Sequence, residues 1–364
     1  MTYSFGLIGC GMIARFHAKA INDLENAKLA GCWNRTSEKT HQLANEFGGT
    51  AYESLETMLA NPEIQVVCIC TASGAHMEPA VAAAEAGKHV LVEKPLEITL
   101  DRCDRIIAAC EANNVGLATI FPSRFHDSSQ AFKTAIDGGR FGRLTLGDAY
   151  VKWHRTQEYY DSGEWRGTWE LDGGGALMNQ AIHSVDLLQW MMGPVRRITA
   201  VTATLAHERI AVEDTAVATL EFANGALGVI EATTAAYPGY LKRIEIHGSQ
   251  GSAMMEEEDI VKWDFGEQHS ADRAIRDQMN ARHSTAGGAS DPAAIGHHGH
   301  TRLFADFLAS LEQGRASNTD SREGRKSVEI ILAIYQAAET GCAVALPLTK
   351  DPDLAARVLP FQER

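Results

Sequence analysis

The chain has 364 residues, 45% hydrophobic and 22% charged, an ordinary globular composition with room for about two domains. Its 47 acids against 33 bases give a formal charge of -14, which repels nucleic acid and anionic lipid and excludes both as partners. No run of about 18 apolar residues occurs, so no membrane span is expected. The opening MTYSFGLIGCG lacks the basic start of a secretion signal, and the 7 cysteines are scattered, odd in number and without metal-type spacing. A reduced, cytoplasmic protein is expected.

Taken in chain order, residues 4–10 predict a short apolar strand, 13–24 a helix and 27–33 a second strand. Helices at 37–47 and 55–59, a buried strand at 64–72, a helix at 76–87, a strand at 88–94, a helix at 99–114 and a strand at 115–121 follow. Strands alternating with helices require crossover connections and a parallel sheet. Their continuous apolar character suits a sheet covered on both faces. After about residue 122 the pattern changes. A helix at 127–138 precedes strands at 143–154, 196–206, 214–234 and 241–249, whose alternation predicts a half-exposed, largely antiparallel sheet with the helix 175–192 packed on it. Asn224-Gly225 predicts a hairpin turn inside that series. Residues 266–300 read as a long loop or lid, and helices at 300–313 and 320–340 close the chain.

The first strand ends in 9-GCGMIA-14, a G-x-G-x-x-A turn between strand and helix, as dinucleotide binding requires. Gly9 permits the tight turn, Gly11 lets backbone approach a pyrophosphate, and Met12 and Ile13 open a helix whose N–H groups face it. The expected architecture is therefore α/β: a Rossmann dinucleotide-binding domain over 1–122, then an α/β domain with an open, largely antiparallel sheet over 123–364. At the end of the second strand, where an acid would hold the ribose of NAD, stands Asn34, followed by Arg35, Thr36, Ser37 and Lys39. These donors lean toward NADP over NAD.

The strand at 88–94 runs into Glu93-Lys94-Pro95, at the carboxyl end of a parallel strand, where ligands bind in open α/β sheets. With the glycine turn, Arg124-Phe125 and 174-GGALMNQAIHSVDLL-188 in that order, the chain resembles the Gfo/Idh/MocA oxidoreductases along essentially its whole length. The resemblance implies hydride transfer between a nicotinamide cofactor and a secondary alcohol or ketone of a sugar or cyclitol, at a site between two domains. It implies a second domain that binds substrate and often associates through its sheet, hence a homodimer or homotetramer. Lys94 and His183 match the catalytic lysine and histidine, Glu93 the residue near the nicotinamide ribose, and Pro95 an often cis proline. Thr71, Ser73 and His76 match the stretch lining the cofactor, with Ala72-Ser73 in place of a common Pro-Asn. Asn179 stands where many members carry aspartate, and so reads substrate rather than moving protons. Asp186 either orients the imidazole of His183 or bonds to backbone in the core.

A histidine suits proton removal near neutral pH, and a lysine suits stabilising a developing alkoxide. The segment 153–175, dense in aromatics and charges, offers Trp165, Arg166 and Tyr160 to a sugar, with Arg124 and His300 as further contacts. The cluster 297-HHGH-300 has the composition of a metal tract, but no suitably spaced carboxylate or cysteine accompanies it and hydride transfer needs no metal, so none is expected. Two other activities fit the same motifs: glycoside cleavage through transient oxidation by bound NAD, and a silent sugar or dinucleotide sensor.

Overall fold

The computed structural model describes residues 2–280 and 296–353. The chain divides into two compact units, Met1–Pro122 with Gly296–Val328, and Ser123–Ile295 with Glu329–Arg364. Residues 296–328 thus pack in the first unit, although they follow most of the second unit in sequence.

In unit 1 the strands β1 (Tyr3–Ile8), β2 (Ala27–Trp33), β3 (Thr50–Ala51), β4 (Val66–Ile69), β5 (His89–Val92) and β6 (Leu117–Thr119) form one parallel sheet. Its order is β3-β2-β1-β4-β5-β6. This is the Rossmann order, which reverses direction between β1 and β4 and leaves a crevice at their carboxyl ends. β1 and β4 are buried along their whole length. The crossovers are α1 (Met12–Asn22), α2 (Ser37–Phe47), α3 (Leu55–Leu59), α4 (Met77–Glu85) and α5 (Leu100–Ala112). Ser54 and Thr99 cap α3 and α5 by accepting the Thr57 and Arg102 N–H groups at 3.2 and 3.3 Å, each worth about 1 kcal/mol.

Unit 2 begins with α6 (Asp127–Asp137), β7 (Leu144–Lys152) and α7 (Gln157–Asp161). A π-helical turn, Ala176–Ala181, then runs into α8 (Ile182–Met192). Strands β8 (Val195–Ala203), β9 (Thr215–Phe222), β10 (Leu227–Thr233), β11 (Arg243–Gly248), β12 (Gly251–Glu256) and β13 (Asp259–Phe265) follow, then α9 (Asp272–Asn280) and, after the closing helix, β14 (Val344–Ala345). The sheet order is β13-β12-β11-β7-β10-β9-β8-β14, with β7 and β10 parallel and every other pair antiparallel. Alternate residues such as Ala149, Val151, Ala216, Ala218, Leu220 and Ile230 are buried. α8 packs on β7 and β11. It comes so close that a Cβ on Gly147 would stand 2.6 Å from Met192 Cγ.

Three expectations change here. The helix at 175–192 is a π turn followed by α8. The hairpin β12–β13 was not anticipated, because a register shift between Met254 and Met255 breaks the alternation and Glu257 takes a left-handed turn at φ 49. The loop at 266–300 contains α9, and residues 281–295 of it lie outside the described residues.

The remaining helices are α10 (His298–Gln313), which lies on α1 in unit 1, and α11 (Ser321–Thr340). Phe304 of α10 stacks on Phe5 of β1 with ring centroids 5.9 Å apart, which anchors the returning segment to the first core.

Candidate active site

In unit 1 the site starts at the glycine turn. Gly9 has φ +91, and a Cβ there would sit 2.6 Å from the Cys70 carbonyl oxygen, so both conformation and packing demand glycine. Gly11 differs. A Cβ on it would meet nothing within 4 Å, so nothing in the protein itself excludes a side chain there. Gly11 is the N-cap of α1, makes no side-chain cap and precedes a first turn without acids. Met12 at the start of that helix is exposed. Open space before an uncapped, uncompensated helix N-terminus fits a pyrophosphate. Asn34 braces the turn: its Oδ1 accepts the Cys10 N–H at 3.3 Å and its Nδ2 donates to the Thr36 carbonyl at 3.2 Å. Arg35, Thr36, Ser37 and Lys39 are exposed beside it.

On the β5 side, Glu93 is buried and held at both oxygens. Oε1 lies 2.7 Å from His17 Nε2, and Oε2 accepts the Lys94 N–H at 3.0 Å. Burial pushes its carboxyl up, but the His17 bond and the charges around it prevail and leave it below the ordinary carboxylate value. His17 in turn faces the Cys70 thiol at 3.4 Å through Nδ1. Lys94 is partly exposed, and its peptide to Pro95 is cis. Thr71 closes its own turn by donating to the Ala75 carbonyl at 2.8 Å, and Ser73 opens the adjoining 3-10 turn.

Two residues expected at the site, His76 and His300, are buried in unit 1. His76 is buried with both ring nitrogens facing carbonyl oxygens, Pro95 at 2.9 Å and Thr71 at 3.3 Å, so it ties two turns together. His300 is buried against His17 and Phe16, with Nε2 4.0 Å from Glu93 Oε1. Burial and His17 lower its pKa to about 4, against the pull of Glu93, so it is neutral at physiological pH. The HHGH histidines diverge, since His297 turns outward to Asp23 at 2.7 Å. The ligand-type atoms of His17, Glu93 and His300 instead lie within 4.8 Å of one another, a cluster that sequence spacing did not reveal.

In unit 2 the polar residues after the three glycines separate. From 172 to 189 every residue is buried except Asn179 and His183, which are partly exposed. Asp186 points the other way. It takes a bidentate ion pair from Arg124, Nε and Nη2 both at 2.7 Å, and Arg124 is only 1% exposed. Arg124, expected as a substrate contact, thus anchors α8 through Asp186. Tyr160 is likewise buried, its hydroxyl 2.8 Å from Thr234 Oγ1 and its ring on His207.

Asn179 is locked in a chain of bonds. Its Nδ2 donates to Asp172 Oδ1 at 2.5 Å and its Oδ1 accepts from Gln180 Nε2 at 3.2 Å. Gln180 also accepts from Arg155 at 2.9 Å and donates to the Tyr159 hydroxyl at 2.9 Å, and Arg166 donates to that hydroxyl at 2.6 Å. Arg166 lies over the rings of Tyr159 and Trp165, 4.2 and 4.5 Å from their centroids. Below this edge, Glu213 accepts the N–H groups of Gly175 (3.0 Å) and Leu177 (2.8 Å) and the Tyr335 hydroxyl (2.9 Å). Burial lifts its pKa to about 7 despite those three donors. Asp172, Arg155, Glu213 and Tyr335 were not assigned from sequence, because only the fold brings them to this turn.

Unit 2 thus offers a partly exposed imidazole on a helix, and unit 1 a partly exposed lysine beside a locked carboxylate at the carboxyl end of a Rossmann strand. Residues 3–121 match the oxidoreductase family with an NAD-binding Rossmann fold, and residues 129–254 match the Gfo/Idh/MocA C-terminal domain. The chain belongs to the Gfo/Idh/MocA family. A myo-inositol 2-dehydrogenase of Thermotoga maritima is 31% identical over 68% of this chain and 73% of that protein. An inositol 2-dehydrogenase of Rhizobium meliloti is 28% identical over 93% of this chain and 98% of that protein. Among solved structures, the WlbA dehydrogenase of Bordetella pertussis in complex with NADH and UDP-GlcNAcA is 36% identical with a TM-score of 0.87, covering 95% of this chain and 98% of that one. As a Gfo/Idh/MocA protein the chain is an oxidoreductase with an NAD-binding domain. No helix among its described residues is long and apolar enough to cross a membrane.

Proposed function

We propose that the chain interconverts a secondary alcohol and a ketone on a sugar or cyclitol ring, with a nicotinamide cofactor. The observation that carries this reading is the selective exposure of Asn179 and His183 on an otherwise buried segment. Gly9, Gly11, Met12, Ile13, Asn34, Thr71, Ser73 and Glu93 hold the cofactor, and the exposed Arg35, Thr36, Ser37 and Lys39 favour NADP over NAD. When bound, that cofactor supplies the hydride acceptor or donor. His183 takes the hydroxyl proton as the alcohol is oxidised and returns it in reduction. Lys94 donates a hydrogen bond to the same oxygen and stabilises its developing negative charge. Asn179 cannot move a proton. Its amide is oriented by Asp172 and Gln180, and it positions substrate beside His183. Trp165 and Arg166 supply further substrate contacts. The sugar class is supported by relatives that are inositol dehydrogenases and by a relative crystallised with a nucleotide-linked sugar. We place the protein in the cytoplasm, since its thiols suit a reducing compartment, and as a homo-oligomer joined through the second sheet.

The test is turnover of inositols, anhydrosugars, hexoses and UDP-linked sugars, read by absorbance of the reduced nicotinamide with NAD and with NADP. Oxidation of at least one ring alcohol is expected, more efficiently with NADP. Lys94→Ala and His183→Ala should each lower kcat by about 1000-fold while still binding the reduced cofactor. Near wild-type turnover in either variant removes that residue from catalysis, and equal use of both cofactors removes the NADP preference. Cofactor binding with no turnover across the panel replaces the enzyme reading with a sensor.

A further inference from the structure

On the second sheet two carboxylates stand directly opposite each other. Asp148 of β7 is the register partner of Glu245 of β11. Like charges facing each other on one side of a sheet are destabilising, so the pair calls for a counter-charge. Asp148 is only 4% exposed, although it alternates with Gly147 and Ala149, which face α8 and the core. Burial pushes its carboxyl up, and the Glu245 charge adds to that push, against the Val229 N–H and His247. His247 stands two positions beyond Glu245 on β11 and so shares its face.

Each of the three side chains has one polar atom tied to a neighbour. Asp148 Oδ1 accepts the Val229 N–H at 3.1 Å. Glu245 Oε1 pairs with Arg243 Nε at 2.6 Å. His247 Nδ1 lies 2.9 Å from the hydroxyl of Ser252, its register partner on β12. The other atoms turn toward one another. His247 Nε2 is 3.5 Å from Glu245 Oε2, and Asp148 Oδ2 has no hydrogen bond or ion pair among the described residues. One ligand-type atom from each of the three lies within 4.8 Å of the other two. An imidazole and two carboxylates, each held from behind, have the form of a metal site with its supporting bonds already made. Calcium and magnesium take six or more oxygen ligands, whereas a nitrogen joined to two carboxylates suits zinc.

We propose that Asp148, Glu245 and His247 bind one zinc ion on the second sheet, through Glu245 Oε2, His247 Nε2 and the second Asp148 oxygen, with water completing the shell. The ion is structural. It neutralises the facing carboxylates and ties β7 to β11, and it takes no part in the chemistry of His183 and Lys94. Positions 148, 245 and 247 carry no metal-type spacing; only the register of β7 on β11 assembles them. The cluster of His17, Glu93 and His300 is as tight, but both Glu93 oxygens there are committed, to His17 and to the Lys94 N–H.

The experiment uses the untagged full chain, stripped with chelator, dialysed and titrated with zinc chloride by calorimetry. Bound metal is counted by atomic emission after gel filtration. One zinc per chain is expected at micromolar affinity or tighter, with a higher Tm when zinc is present. His247→Ala and the shape-conserving Glu245→Gln should each abolish retention and the Tm rise. Ser252→Ala removes only the group behind the imidazole and should weaken binding about tenfold or more. All three variants should keep the wild-type affinity for reduced cofactor, a property of unit 1, which shows that they are folded. Cobalt(II) in place of zinc should give a visible absorption band that His247→Ala loses. A wild type that retains no zinc overturns the proposal and leaves the two carboxylates to share a proton. Zinc held equally well by His247→Ala and Glu245→Gln also overturns it, and its loss in His300→Ala would move the ion to the buried cluster of unit 1.

Discussion

Among single residues, Glu213 has the strongest measurable consequence. It is buried under the π turn, and its pKa is lifted from 4.5 to about 7. A raised pKa means that the folded state binds the proton more tightly. Its stabilising effect is then complete below pH 4.5 and is lost as pH rises toward 7, by about 3 kcal/mol in all. His300 has the opposite sign. Its pKa falls from 6.5 to about 4, so its contribution is present above pH 6.5 and lost as pH falls through 4. The two partly cancel in the wild type, so the difference between wild type and Glu213→Gln isolates one of them. Denaturant unfolding at several pH values should show the wild type losing stability relative to the variant between pH 4.5 and 7, and the two running parallel above that. Identical pH dependence in both proteins would mean that Glu213 stays ionised throughout. The residues proposed to face ligand are more legible in the sequence than those behind them. Gly9, Gly11, Lys94 and His183 sit in local motifs. Glu213 and His17 act through partners 36 and 76 positions away, and no local pattern encodes such a partner. The same blindness hid the partners of Arg124, His76, Tyr160 and His300. Each has the chemistry of a ligand contact, and each is buried against neighbours that its own segment does not reveal.

At the level of elements, the parallel sheet was legible because a run of apolar residues closed by a glycine turn has few other solutions. The π turn was not, because a wide helical turn carries no periodicity of its own over six residues. Its cause lies in 173-GGG-175. A Cβ on Gly175 would overlap the Glu213 carbonyl oxygen, and one on Gly174, at φ +154, would overlap the Tyr335 hydroxyl. The Ala176 N–H then donates to that same Glu213 carbonyl at 3.0 Å. The glycines let the chain reach Glu213 before the helix begins, and the π turn sets the angular offset of Asn179 from the regular α8 that carries His183. Gly175→Ala forces this turn away from Glu213. A displacement of about 1 Å at a reacting group costs about 100-fold in rate, so kcat should fall by that order. Affinity for reduced cofactor, a property of unit 1, should hold. Unchanged kcat in a folded Gly175→Ala protein would show that the turn does not set His183.

For the whole molecule, the open face of the second sheet decides whether one copy of the chain is enough. The residues of β7 to β10 that alternate with the buried set carry an apolar stripe. Val201 on β8 stands directly opposite Val217 on β9, and Leu227 on β10 opposite Leu146 on β7. All four are exposed, Val201 by 72%. Exposed apolar pairs of this kind, on strands paired on both sides, support the proposed association through this sheet. The row between the two pairs holds Thr199 and Thr219, bonded to each other at 2.5 Å, and Glu221, which faces Leu227, is paired to Arg196 at 2.9 Å. A second copy of the same sheet offers the same stripe, and a stable pair needs roughly 1,000 Å² or more of buried surface, which a sheet of eight strands can supply. Light scattering should therefore give a mass of at least twice 39.5 kDa for the wild type. Val201→Glu with Val217→Glu places two charges at the centre of that stripe. The double variant should elute as a monomer at micromolar concentration while remaining folded, since neither side chain supports the core of its own chain. A monomeric wild type would rule out this interface. A double variant that kept the wild-type mass would place the contact on another surface.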